Sequence, residues 1–447
     1  MATKQTRREH GGSYKPVSAV EIRIWGTMVG AVVLDPARGY YAFEYAPAFA
    51  RRGIELAPLQ MPLAQADRPF VFPALPELTY RRLPAMLADA LPDKFGNALI
   101  DAWMAGRGVP AQNITVLDRL AYMGRRSMGA LEFRPARGPS AKSATALQLA
   151  SLVETARQAL SGRLDTDDHA RAALSQIISV GTSAAGARAK AVVAWSRTTG
   201  ELRAGQFDVE PGFEHWLLKF DGVGEDKVLG PSRDYGRIEY AYYLMARDAG
   251  VHMSECRMLE ENGRAHFMTR RFDRDGNERL HMQSLCAMAH LDFNQKATHS
   301  YNQLFDTILR LGLGRQALVR AFTAMVFNVM TANMDDHTKN FAFLLRQGGR
   351  WELAPAFDIT HAHNPRGEWT NQHQMSINGK FDEITRSDLR TVADRFDLLQ
   401  DYAAVIERIG DALSAWPRYA QQAGVDPAET EAIAKNLRVR RLPPHAI

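Results

Sequence analysis

Two acids and an amide, close together in the chain, define the chemistry to look for. In Asn333-Met334-Asp335-Asp336-His337-Thr338-Lys339-Asn340 the spacing is Asp-x4-Asn, and a further acid, Asp358, follows Ala354-Pro355-Ala356-Phe357. Phosphoryl transfer needs such a set. One carboxylate orients an attacking hydroxyl and accepts its proton, while an Asn and a second Asp hold Mg2+ on nucleotide phosphates. Few, hard oxygen ligands suit Mg2+, which keeps several of its waters. An isolated Asp-x4-Asn recurs by chance in many chains, so the surrounding elements must support it. His337 and Lys339 lie inside the loop, where each alone also reads as a loop-orienting or solvated residue.

The elements that position these groups are legible. Residues 341–345 have strand character, Gln347-Gly348-Gly349 makes a turn, and 350–353 returns as a second strand. The acids and the amide therefore flank a hairpin. Upstream, Leu318, Phe322, Met325, Val326, Val329 and Met330 share one face of a helix over 315–330 that runs into the loop and gives it a rigid base.

A second set of residues lies earlier. His215-Trp216-Leu217-Leu218-Lys219-Phe220 is a strand with one lysine in an apolar run. A buried lysine needs a partner, which in a nucleotide site is a phosphate oxygen; on an edge strand it would snorkel to water. A helix over 239–250 ends at a glycine, and its Glu239 either pairs with Lys219 or faces solvent. The strand predicted over 266–274 leads to an Asp275-Gly276-Asn277 turn, and Phe272 is either a wall for a base or a core residue. Ser179 to Lys190, rich in small residues, either lets backbone N–H groups approach a phosphate or is a plain turn. It lacks the Gly-x4-Gly-Lys-Ser/Thr signature.

Composition sets the frame. The 447 residues, 46% hydrophobic and 23% charged, suit a globular protein of two or three domains. A net charge of +5, scattered along the chain, permits an acidic partner without pointing to nucleic acid. The two cysteines, Cys256 and Cys286, have no metal-ligand spacing and suit a reducing, cytoplasmic setting. No apolar run reaches the length of a membrane span, so no membrane partner is expected. Residues 1–19, polar and basic, read as a disordered tail rather than a secretory signal. The expected units are 20–136, 143–275 and 276–447. The first carries antiparallel strands, the second is a strand-rich nucleotide lobe, and the third is a helical lobe holding the Asp335 loop. A boundary is expected at the Pro- and Gly-rich stretch 134–142. A serine N-cap at Ser387 is expected to open a helix over 387–399.

On these residues the chain resembles the HipA-family serine/threonine kinases, the toxins of bacterial type II toxin–antitoxin pairs. The likeness rests on Asn333 to Phe341 and on Ala354 to Ile359. Arg271-Phe272-Asp273-Arg274, Gly129-Ala130-Leu131-Glu132-Phe133 and the Ser183 to Lys190 loop add to it. It extends from about residue 20 to the C-terminal helices. The resemblance implies a two-lobed, kinase-like α+β fold with ATP and Mg2+ as cofactors. Asp335 is implied as the catalytic acid–base residue, Asn340 and Asp358 as the Mg2+ ligands, and Lys219 as the phosphate lysine. Ser183, Gly186, Phe272, His337 and Asn340 complete the implied nucleotide site. Ser183, seven residues before Lys190, is the implied self-phosphorylated residue, with Thr182 as its rival. The implied substrate is a cellular protein, which for the best-known type is an aminoacyl-tRNA synthetase. The implied partner is a small helix-turn-helix antitoxin, and operator DNA is reached only through it.

The chain also departs from the family pattern. Arg270 stands where the hinge often carries an acid. Gln283-Ser284 and Ala287 replace the usual Glu-Asp-x-x-Gln stretch, and the loop reads Gly186-Ala187-Arg188-Ala189-Lys190 rather than Gly-Ala-Gln-Glu-Lys. Two other classes fit the same constellation. One is a kinase acting on a lipid or small molecule, and the other is a non-catalytic corepressor module.

Overall fold

Alternation of buried and outward residues builds the first sheet. Val20, Ile22 and Ile24 of β1 (Ala19–Ile24) are fully buried, and the residues between them are not. The computed structural model describes residues 14–139, 152–153, 156, 189–221, 223 and 234–438. Strands β2 (Thr27–Asp35), β3 (Tyr40–Tyr45) and β4 (Leu131–Arg134) complete a four-stranded sheet in the order β3-β2-β1-β4. Trp25 and Gly26 join β1 to β2 with positive φ at both positions, the backbone of a tight hairpin whose twist matches its strands. At Gly30 a Cβ would lie 2.1 Å from the Glu44 carbonyl oxygen, so the close approach of β2 to β3 requires glycine. Helices α1 (Lys94–Ala105) and α2 (Val116–Met123) follow, the first capped by Asp93 and the second by a Thr115–Asp118 capping box.

The tail expected over 1–19 gives way to packed chain inside that span. Val17 is buried and its N–H donates to Asp118 Oδ1 at 2.8 Å, because an apolar side chain and a capped carboxylate together tie the segment down. Residues 1–13 lie outside the described set, as do Thr182, Ser183 and Gly186.

A second antiparallel sheet runs β6-β5-β7-β9-β8. It comprises β5 (Lys190–Ser196), β6 (Leu202–Ala204), β7 (Phe213–Lys219), β8 (Cys256–Glu261) and β9 (Arg264–Arg270). Helix α3 (Tyr235–Asp248) lies on it. Gly236 makes that approach possible, since a Cβ there would meet the Ala265 carbonyl oxygen at 2.0 Å. The strand expected over 266–274 ends at Arg270, where the backbone turns away. Arg274–Asp275 (β10) then pairs with Glu278–Arg279 (β11) around the anticipated turn.

The third part is mostly helical. Strands β12 (His281–Ser284), β14 (Ala342–Leu345) and β15 (Trp351–Leu353) form a small sheet, and His299–Ser300 (β13) pairs in parallel with Met375–Ser376 (β16). Its longer helices are α4 (Tyr301–Arg310), α5 (Arg315–Thr331), α6 (Arg386–Arg395), α7 (Leu399–Ser414), α8 (Trp416–Ala423) and α9 (Pro427–Ala434). Helix α6 is capped by Thr385, not by Ser387. Asp388 lies three residues beyond Thr385 and closes a capping box that Ser387 cannot form. One apolar core joins the first two sheets, and a second joins α3 to the helical lobe. The expected two-lobed α+β architecture is therefore present. Among the described residues, no helix is long and apolar enough to cross a membrane.

Candidate functional site

Lys219 closes β7, and its register partner on β5 is Lys190. Cross-strand partners share a face, so two buried lysines stand side by side above the cleft between the lobes. Like charges so placed repel and require counterions. Lys219 Nζ donates to Glu239 Oε1 of α3 and to Asp358 Oδ1, which comes from beyond β15. Burial pulls the ammonium pKa down, but Asp358 and Glu239 outweigh it and hold the group charged. For Asp358 burial pushes the other way, and Lys219 and Lys190 together keep its carboxyl well below the usual carboxylate range. Asp358 also has φ of 54°, a left-handed conformation that Asp tolerates better than most side chains.

The Asp335 loop leaves α5 through Ala332, whose positive φ ends the helix. Residues 335–338 then alternate between half-buried and buried, with Asp335 and His337 outward and Asp336 and Thr338 inward. Asp335 keeps 47% of its side chain exposed, and His337 Nε2 lies 3.8 Å from Asp335 Oδ1. Asn340 Nδ2 donates to the Asp335 carbonyl oxygen at 2.7 Å. That bond uses the amide nitrogen and leaves the Asn340 side-chain oxygen as the atom that could ligate a metal. His337 also acts electrostatically on Asp358, so the loop and Asp358 face one region.

The empty space of the cleft is about 990 Å3, counting the part open to solvent. Lys190, Lys219, Glu239, Lys339 and Asp358 are among its charged groups, and Leu217, Phe267, Phe272, Met282 and Phe357 are part of its apolar wall. Phe272 packs on Phe357 with ring centroids 5.4 Å apart. Lys219, Phe272 and Asp358 line this cleft. Asp335, His337 and Asn340 lie on the loop beside it, with Lys339 of that loop reaching in. A donor set of one carboxylate, Asp358, and one amide, Asn340, fits an ion that completes its shell with water and phosphate oxygen.

Other contributors were not visible in the sequence. Met86, Asp89, Met128 and Leu131 belong to the N-terminal part yet line the cleft. Asp89 accepts from the Ser284 N–H at 2.7 Å and from its hydroxyl at 2.8 Å, which fixes the first part against the start of the helical lobe. Arg271-Phe272-Asp273-Arg274 and Gly129 meet in one clamp. Asp273, fully buried, accepts two bonds from Arg271, one from Arg274 and one from the Gly129 N–H. Burial would raise its pKa, but Arg271 and Arg274 hold it far below the ordinary value. The motif around Phe272 is thus largely a structural joint. The sequence marks both stretches by their family likeness but not that they pair, since Gly129 and Asp273 are 144 positions apart.

A family model described as the HipA-like C-terminal domain matches residues 182–438, and the HipA N-terminal domain matches 20–134. No curated protein matches the chain in sequence. Among solved structures, a chain of the Shewanella oneidensis MR-1 toxin–antitoxin complex of HipA, HipB and operator DNA is similar, with a TM-score of 0.63 at 17% identity. The match covers 93% of this chain and 94% of that one. The Helicobacter pylori proinflammatory kinase CtkA aligns over 56% of this chain and 89% of its own, with a TM-score of 0.35 at 12% identity. With the C-terminal family model alone spanning more than half of its residues, the chain belongs to the HipA family.

Proposed function

We propose that the chain is an ATP-dependent serine/threonine protein kinase of HipA type, acting as the toxin of a toxin–antitoxin pair. The observation that carries this reading is the bridge from Lys219 to both Glu239 and Asp358, at a cleft bordered by the Asp335–Asn340 loop. Lys219, held charged and oriented by Glu239, would grip phosphate oxygens. Asn340 and Asp358 would hold Mg2+, which when bound neutralises charge on the phosphates. Phe272, Phe357 and Met282 would take the base on an apolar wall, and His337 would flank the phosphate side. Asp335, the most exposed acid of the set, would orient a substrate hydroxyl and accept its proton as the γ-phosphoryl group moves to the oxygen. Positioning and charge neutralisation would supply most of the rate enhancement.

Ser183, with Thr182 as the alternative, is the proposed site of self-phosphorylation, in a loop that includes Gly186. A phosphate there adds about −1.5 to −2 charge. A small helix-turn-helix antitoxin, HipB-like, is the proposed partner, and operator DNA would be reached through it. The similarity to a chain from a complex of that composition supports this. The test is transfer of label from γ-labelled ATP to proteins of a bacterial lysate, set against transfer to lipids and small hydroxyl compounds. Label on protein serine or threonine is the expected result. Label on small acceptors alone would favour the small-molecule kinase, and nucleotide binding without any transfer would favour the corepressor.

A further inference from the structure

Asp336 sits beside the proposed acid–base residue yet points the opposite way. Its carboxylate is fully buried and accepts three bonds. Tyr301 Oη donates to Oδ2 at 2.8 Å, His373 Nδ1 to Oδ2 at 2.9 Å, and the Gln374 N–H to Oδ1 at 2.8 Å. These donors come from the start of α4 and from the segment leading into β16, two pieces of chain already paired through β13 and β16. Tyr301 is itself oriented, because Asn328 of α5 donates to its oxygen at 3.0 Å. The His373 Nε2 is buried without a hydrogen-bond partner, so Nδ1 is the nitrogen through which the ring is held.

Because consecutive residues of extended chain point to opposite sides, anchoring Asp336 inward throws Asp335 outward. Thr338 repeats the device one step on, donating to the Leu291 carbonyl oxygen at 2.6 Å. We propose that Asp336 is the positioning residue of the site, a buried brace through which Tyr301, His373 and the Gln374 backbone set the place of the Asp335 carboxylate. The proposal rests on the kinase reading for its catalytic consequence, though not for the brace itself.

The test is Asp336→Asn in the full chain. The amide keeps the acceptor for Gln374 but turns a donor toward Tyr301 and His373. A misplacement of about 1 Å costs on the order of 10²-fold in rate, so kcat is expected to fall by about that factor with KM for Mg·ATP unchanged. Wild-type kcat in Asp336→Asn, or a change confined to KM, would overturn the proposal. Hydrogen exchange of amides 334–341 is the second readout. Faster exchange in the folded variant is expected whether or not any acceptor is phosphorylated, and unchanged exchange would overturn the brace. Should Asp336→Asn not fold, Tyr301→Phe carries the same test. Lower kcat at constant KM supports the brace, and wild-type kcat contradicts it. A wild-type protein that transfers no phosphate would refute the kinase reading, and hydrogen exchange would then decide the brace alone.

Discussion

Lys190 and Lys219 stand opposite one another on adjacent antiparallel strands, and both are buried. Two like charges in that position are unfavourable by themselves. They are tolerated because Glu239 and Asp358 close on Lys219 from two other elements, which converts a local conflict into a charged, oriented site. Conflicts of this kind concentrate at functional sites.

Removing the bridge should show its cost. Lys219→Met leaves the buried Glu239 and the part-buried Asp358 without their shared cation, a loss of about 3–5 kcal/mol on the scale of a broken buried pair. Glu239→Gln added to it should restore part of that stability, giving a coupling of about 1–3 kcal/mol in a double-mutant cycle. Denaturant unfolding of the four proteins measures it. Strict additivity would mean that the contact carries no energy.

Asp93 offers a pH test. Burial pushes its carboxyl up to about 6, against the lowering effects of Lys190, the Gly96 N–H and Lys339. One of its oxygens is buried with no hydrogen-bond partner. A carboxyl raised in the folded state favours folding below its unfolded value, near 3.9, and loses that contribution as pH rises through about 6. Asp93→Asn retains a good N-cap and cannot ionise. It should therefore stabilise the protein at pH 8 and give no advantage at pH 4. Thermal melting of both proteins across that range checks the sign.

The Asp273 clamp should matter for folding more than for chemistry. Asp273→Ala leaves Arg271 and Arg274 buried without their common acceptor, and should cost about 3–5 kcal/mol. Arg270→Glu, on an exposed side chain at the end of β9, should shift stability by less than about 0.5 kcal/mol. Urea denaturation distinguishes the two.

Metal and nucleotide should act together on stability. Mg·ATP at one hundred times its Kd should stabilise the wild type by about 2.7 kcal/mol. Chelating the metal, or making Asp358→Asn, should remove most of that gain. Thermal shifts with ATP, Mg2+ and both are the measurement.

The sequence made some of this readable for identifiable reasons. The Asp335 hairpin and α5 announce themselves through strand or helix periodicity bounded by turn residues. Lys219 stood out because a lysine in an apolar strand needs a counterion, and Glu239 is one of the two it finds. The rest depended on contacts distant in sequence. Nothing in Met86, Asp89 or Met128 marks them as cleft residues. Asp336 reads as a duplicate of Asp335 until Tyr301 and His373, 35 and 37 positions away, are brought to it. The end of β9 at Arg270 and the cap at Thr385 differ from the expected positions for a smaller reason. Element ends are set by particular hydrogen bonds, and periodicity carries little information about them.

The central claim is that Asp335 performs phosphoryl transfer at a site that Lys219, Asn340 and Asp358 prepare. The most direct measurement is label transfer from γ-labelled ATP to protein by wild type and by Asp335→Asn, with Mg·ATP affinity measured on both by calorimetry. The predicted result is transfer by the wild type, none detectable by the variant, and affinities that agree within about twofold. Undiminished transfer by Asp335→Asn would contradict it.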